Sequence, residues 1–173
     1  MTGRASPAGN ILIDNPMLLG LIVLIIIFPL VLVFTASMRF AYLLNVANGA
    51  AASASRCRSF QFDAPPDMSM INTAQAEVRQ KLANYGGLTM DDCTVFVIQE
   101  PIGSAEKAMQ FNSSLRFAPD GGHNLYLVAV VIKGQLDPLL KDNKSCDMPL
   151  ITSPIPVMVK GTHAVEHLEA LLK

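Results

Sequence analysis

No two cysteines of this chain stand in a C-x-x-C pair; Cys57, Cys93 and Cys146 are each isolated, so neither a zinc knuckle nor a thioredoxin-like motif is spelled out. Charge of one sign is lacking as well. With 13 Lys and Arg against 14 Asp and Glu, no positive field recruits a phosphate backbone by counterion release, and nucleic acid is excluded as the main partner. Phosphate-loop patterns are missing from GSAEK and DGGH, no G-x-G-x-x-G follows a strand, and no serine occupies a G-x-S-x-G elbow. The expectation is a protein that is not an enzyme, with no cofactor and no small-molecule substrate. Internal repeats and low-complexity tracts are absent too.

The absence with the largest consequence is that of any charged residue between Asp14 and Arg39. The run inside it, MLLGLIVLIIIFPLVLVFTA over 17–36, reaches the roughly 30 Å of a bilayer interior at about 1.5 Å per residue. It exceeds the 7–15 apolar residues, or about that, of a cleavable export signal, and it leads into further helix-compatible sequence. A retained transmembrane helix over 17–37 is therefore expected, after a polar leader over 1–16. Pro29 falls inside the span, removing a backbone donor and crowding the carbonyl of Ile25. That reads either as a tolerated kink or as a hinge used in packing. Orientation is contested by charge, because Arg4 precedes the span while Arg39, Arg56 and Arg58 follow it.

A helical continuation is expected over 38–60, where Ala41, Ala47, Ala50, Ala51 and Ala54 recur at short intervals. Such a row admits close approach of another helix, or equally lays this helix on its own domain's sheet. FQFDAPPD then breaks the helix. A second helix is predicted from Met68 to Tyr85, with Met70, Ile71, Ala74, Val78 and Leu82 on one stripe and the glycines of NYGG as its stop. Strand-like runs follow at 93–99, 109–117, 124–134 and 153–168, separated by EPIGS and APDGG. The fold class is α+β, the helical continuation packing on a short antiparallel sheet within a domain over 61–173.

Two motifs invite chemistry. HAVEH places His163, Glu166 and His167 in the H-x-x-E-H pattern of zinc hydrolases, but a third ligand is needed downstream and only Glu169 follows. Met68, Met70, Met90, Met109 and Met158 keep no ligand spacing, so core filling is the expected role rather than copper handling. No metal is expected at either. For the cysteines, one disulfide and one free thiol is the natural count in an oxidising compartment. Antiparallel pairing of the first and third strand-like runs would bring Cys93 to the edge where Cys146 follows, leaving Cys57 free; Cys57 with either partner remains open.

The order of these parts, the run NVANGAAASASR (Asn48, Ala50, Ala51, Ala54, Arg56) and the final strand with Val165 and Glu166 resemble the TadE/TadG-like family of pilus assembly proteins. These are pilin-like membrane proteins of the tight-adherence (Flp) systems. In AGNILID, Gly9 is followed five residues on by Asp14, resembling the glycine and glutamate of prepilin leaders; Asp14, Asn15 and Pro16 depart from the family's glutamate and apolar continuation. The resemblance implies a single-pass protein of the cytoplasmic membrane with its domain outside the cytoplasm, a minor subunit or assembly factor of a type IVc pilus, partnered by other pilin-like subunits or the assembly machinery. It also implies cleavage after Gly9 and a register-setting role for Asp14, whose other reading is an acid in the helix N-cap region. The competing function is a signal-anchored envelope protein whose sheet domain binds a partner unconnected with pili.

Overall fold

The computed structural model describes residues 16–60, 69–103, 108–112, 120, 122–138 and 151–171. The chain divides into two compact units, Met1–Met38 and Arg39–Lys173. The first contains helix α1 (Pro16–Ile22), a π-helical turn (Val23–Ile27) and the beginning of α2 (Phe28–Ser55). The π turn precedes a proline. Pro29 has no N–H for the Ile25 carbonyl and its ring crowds it, and the backbone widens just before it, the Phe28 N–H bonding Val23 O five residues back. None of the residues in α1 or the π turn is buried. The Thr35 hydroxyl is donated to Val31 O at 2.8 Å, so this polar side chain is satisfied by its own helix.

The second unit packs the remainder of α2 and helix α3 (Met70–Ala83) on a four-stranded sheet of β1 (Leu88–Pro101), β2 (Met109–Phe111), β3 (Asn124–Leu136) and β4 (Ile155–Ala164). Strand order is β2-β1-β3-β4 and every pairing is antiparallel. Alternation along β3 turns Tyr126, Val128, Val130 and Ile132 into the core. β1 faces them with Val95 and Val97. It begins five residues earlier than the sequence leads one to expect because of a bulge: Met90 pairs with Gly134 and Asp92 with Lys133, leaving Asp91 as the extra residue. The bulge resets the two-residue period, so Leu88 and Met90 before it and Cys93 after it all pack against the core. Gly134 is required opposite, since a Cβ there would overlap the Thr89 carbonyl oxygen.

α3 lies within the expected 68–85 and buries Met70, Ala74, Val78 and Leu82 of the stripe read from spacing, while its remaining member, Ile71, is half-buried against the core. Its N-cap Ser69 accepts the Asn72 N–H at 3.3 Å, and Ser69 is itself fully buried. β4 is shorter than the expected 153–168. After Ala164 the Val165 N–H reaches Tyr126 O and the Glu166 N–H caps the Ser55 carbonyl at the end of α2, so the chain leaves the sheet for a 3-10 turn at Leu168–Leu171. Phe60 N–H to Ala170 O at 3.0 Å closes the same corner. Of the expected run 109–117, Met109–Phe111 forms β2 and 113–119 lies outside the described residues.

Candidate functional site

The first unit is defined by its apolar surface. Met17 is 86% exposed and Leu24, Leu30, Val33 and Phe34 are each more than 60% exposed, with no charged side chain from Pro16 to Met38. A helix apolar on all sides is not a water-facing one, since each such side chain costs about 1.5–3 kcal/mol relative to burial. The helical stretch Pro16–Ser55 is long and apolar enough to cross a membrane. Gly9 and Asp14 lie outside the described residues.

The charge that ends the apolar run is put to structural use. Arg39 donates from Nη1 to the Asp137 carbonyl at 2.7 Å. Its guanidinium lies on Gly87, where a Cβ would come within 2.6 Å of Cζ and where φ is +87°. Asp137 N–H bonds Gly87 O at 3.1 Å, and its carboxylate accepts the Thr89 hydroxyl at 2.7 Å. One turn along α2, Tyr42 stacks on Tyr85 with centroids 4.0 Å apart and donates its hydroxyl to Lys81 O at 3.1 Å. One arginine and one tyrosine thus fasten α2 to the start of β1 and the end of α3.

The alanine row is consumed within the domain. Ala47, Ala50, Ala51 and Ala54 are fully buried in the core, whereas Ala41 is exposed. Their counterpart is Gly161 on β4, where a Cβ would overlap the backbone of Ala47 and Asn48; alanine on the helix and glycine on the strand bring the two backbones together. On another side of α2, Gly49 leaves room for the Glu77–Lys81 pair of α3, 2.6 Å apart. Burial pushes the Glu77 carboxyl up, but hydrogen bonds from Lys81 and Ser53 and the charge of Lys81 outweigh it and hold it below the ordinary range. Sequence reasoning missed Gly161, Gly49 and Arg39. A lone glycine inside the strand-like VKGTH was the available signal for the first, since it marks a close backbone approach.

The described residues form no disulfide. Cys57 and Cys93 are free thiols, and the expected partner of Cys93, Cys146, lies outside the described residues. Cys57 is buried, its sulfur 3.3 Å from Thr73 Oγ1. Cys93 is half-buried; burial first and the Asp92 charge second push its thiol up to about 11, with Arg79 opposing.

HAVEH does not occupy one helical turn. His163 sits in β4, its Nδ1 3.2 Å from Ala164 O, Glu166 pairs with Arg56 at 3.3 Å, and His167 lies between β4 and the 3-10 turn. No group of three or more His, Cys, Asp or Glu side chains able to hold a metal occurs among the described residues. Another histidine, His123, bonds Asp120 at 2.7 Å; that bond, followed by the Gly122 N–H, holds the Asp120 carboxyl below its usual range. Among the methionines, Met70 is in the core and Met90 packs against it, Met109 and Met158 are exposed, and Met68 lies outside the described residues. Comparison with family models, curated proteins and solved structures finds no match to this chain. Two features of the structure bear on function: an uncharged helix with no buried residue from Pro16 to Met38, and a sheet domain that buries Ala47, Ala50, Ala51 and Ala54 of the row following it.

Proposed function

We propose that the chain is a non-enzymatic, membrane-anchored, pilin-like protein that serves as a minor subunit or assembly factor of a tight-adherence pilus, with its sheet domain outside the cytoplasm. The observation that carries this reading is the exposed, uncharged helix of the first unit joined in sequence to an α+β domain. The helix holds the subunit in the bilayer and offers an apolar surface to other membrane helices; the domain is what is presented. Cleavage after Gly9 and a charge partner for Asp14 belong to the same reading.

A second reading is favoured by the burial of Ala47, Ala50, Ala51 and Ala54 inside the domain, which withdraws that row from packing between subunits. In it the protein is anchored in the envelope and its sheet domain binds another envelope component, with no pilus involved. Deleting the gene and shearing surface fibres from the cells separates the two. Loss of fibres, with the protein recovered in the sheared fraction or in the membrane, supports the pilus role. Unchanged fibre yield overturns it in favour of the second reading. The intact mass of the purified protein reports whether the leader was removed after Gly9.

A further inference from the structure

The two edges of the sheet are finished differently. On one, β2 pairs with residues 97–99 of β1, and the Cys93 carbonyl beyond it accepts the Gln75 side chain at 3.3 Å. β4, the other edge, has no strand beside it among the described residues. Val165 N–H bonds Tyr126 O and Ala164 stands opposite Leu127, which fixes the alternation: odd-numbered residues of β4 bond β3, and even-numbered ones turn their backbone groups away. Met158, Lys160, Thr162 and Ala164 thus present their N–H and carbonyl groups along an open edge, and all of them are exposed. Pro156, which has no N–H, ends the row. The lysine that would guard such an edge is drawn off it, Lys160 Nζ lying 5.7 Å from the ring centroid of Phe96 on β1.

The flank of α2 on the β4 side is apolar and uncovered. Tyr42 and Gly49 meet α3 on one side of the helix. Phe40, Leu44 and Asn48, at helical spacing, form the other, and a Cβ on Gly161 of β4 would meet the Asn48 backbone nitrogen there. Phe40 is 43% and Leu44 38% exposed. We infer that the β4 edge, with Phe40 and Leu44 beside it, is the docking site for an extended segment of another protein. That segment pairs with residues 158–164 as a further antiparallel strand and turns apolar side chains toward α2. The open backbone groups ask for a strand, and the helix flank asks for one that is apolar on that face. A second copy docked antiparallel through the same edge is related by a two-fold axis normal to the sheet, so its α2 runs in the opposite direction; chains anchored with one topology carry α2 the same way round. The inference rests on the reading that the sheet domain binds a partner, and on nothing specific to pili.

The test uses the full chain in mild detergent and an alternating valine–threonine peptide with a lysine at each end. Fluorescence anisotropy of the labelled peptide is expected to show saturable binding. N-methylating the threonine amides, the set that faces β4 when the valines lie toward α2, is expected to weaken it at least about tenfold; N-methylating the valine amides, on the opposite edge, leaves it. Thr162→Pro removes one outward N–H while sparing the bonds to β3, and should abolish binding with the circular dichroism unchanged. Amide exchange gives an independent reading that needs no variant. In the protein alone Met158, Lys160, Thr162 and Ala164 exchange rapidly while Val159, Gly161 and His163 exchange slowly, and the peptide protects the first set. No binding, equal loss from the two methylated peptides, or binding that leaves those amides unprotected overturns the inference. A dimeric chain with the first set already protected names a second copy as the occupant and overturns the assignment to another protein. These outcomes overturn this inference alone; the partner-binding reading fails with it if cross-linking in cells yields no adduct from any face of the domain.

Discussion

Single atoms decide much of this domain. Gly161 and Gly49 are both glycines against which another element packs, yet they differ in what a methyl group would meet. At Gly161 it meets the backbone of Ala47 and Asn48, which cannot yield without moving α2; at Gly49 it meets Lys81 Nζ at 2.8 Å, the end of a flexible side chain. Gly161→Ala is expected to destabilise the domain by about 3 kcal/mol, the upper range for overpacking. Gly49→Ala should stay within about 1 kcal/mol of the parent, gained helix propensity offsetting a loosened surface ion pair. Chemical denaturation of the full chain in mild detergent measures both, and comparable losses would remove the distinction. Cys93 offers a second reading at this scale. Because its thiol pKa is raised from 9.0 to about 11, alkylation by iodoacetamide in the folded protein should rise with a midpoint near the raised value. The sign for stability follows: the folded state holds the proton more tightly, so the contribution is intact below the unfolded thiol's pKa and is lost as pH rises through the folded one. A midpoint at the ordinary thiol value would show that this burial is not maintained in solution. What the sequence left unread at this scale was partnership across the fold: Ala47 advertised a close approach, but Gly161 lies more than a hundred positions away.

At the scale of elements, legibility followed periodicity. The buried stripe of α3 repeats at helical spacing and could be read directly, and β3 is a long β-rich run that is hard to mistake. β1 was readable only from Cys93 onward because the two adjacent acids Asp91 and Asp92 resemble turn material, and the bulge there inverts the alternation by one residue. The same bulge yields an element-scale prediction. Deleting Asp91 removes the extra residue, so either Leu88 and Met90 rotate away from the core or the pairing with Gly134 is lost; a cost of about 2–3 kcal/mol is expected from two partly buried side chains. Asp91→Ala keeps the residue count and forfeits only an exposed contact with Gln135, so it should lie within about 0.5 kcal/mol of the parent. Equal effects in a denaturation series would show that the side chain, and not the register, is what matters. The π turn was legible only in half: Pro29 announced a disturbance of the helix, but whether a helix kinks or widens before a proline depends on how its neighbours relax, which no single residue encodes.

At the scale of the whole molecule, the span is set by composition and the side of the membrane on which the domain sits is not. The tally of Arg39, Arg56 and Arg58 after the span against Arg4 before it favours a cytoplasmic domain, but positive charge governs short flanking loops, and long domains translocate largely regardless of it. In the folded domain, moreover, Arg39 is bound to the Asp137 carbonyl and Arg56 to Glu166, so two of these three arginines have protein partners and are not committed to anionic headgroups. The function proposed above has the domain outside the cytoplasm. The expected outcome is that protease added to intact spheroplasts degrades the sheet domain and leaves a membrane-held fragment containing the apolar helix. A domain that survives until the spheroplasts are lysed would reverse the orientation. It would also remove the oxidising surroundings that motivate a Cys93–Cys146 bridge, so non-reducing peptide mapping of the same preparation should agree with the protease: a bridge with the domain outside, and three free thiols with the domain inside.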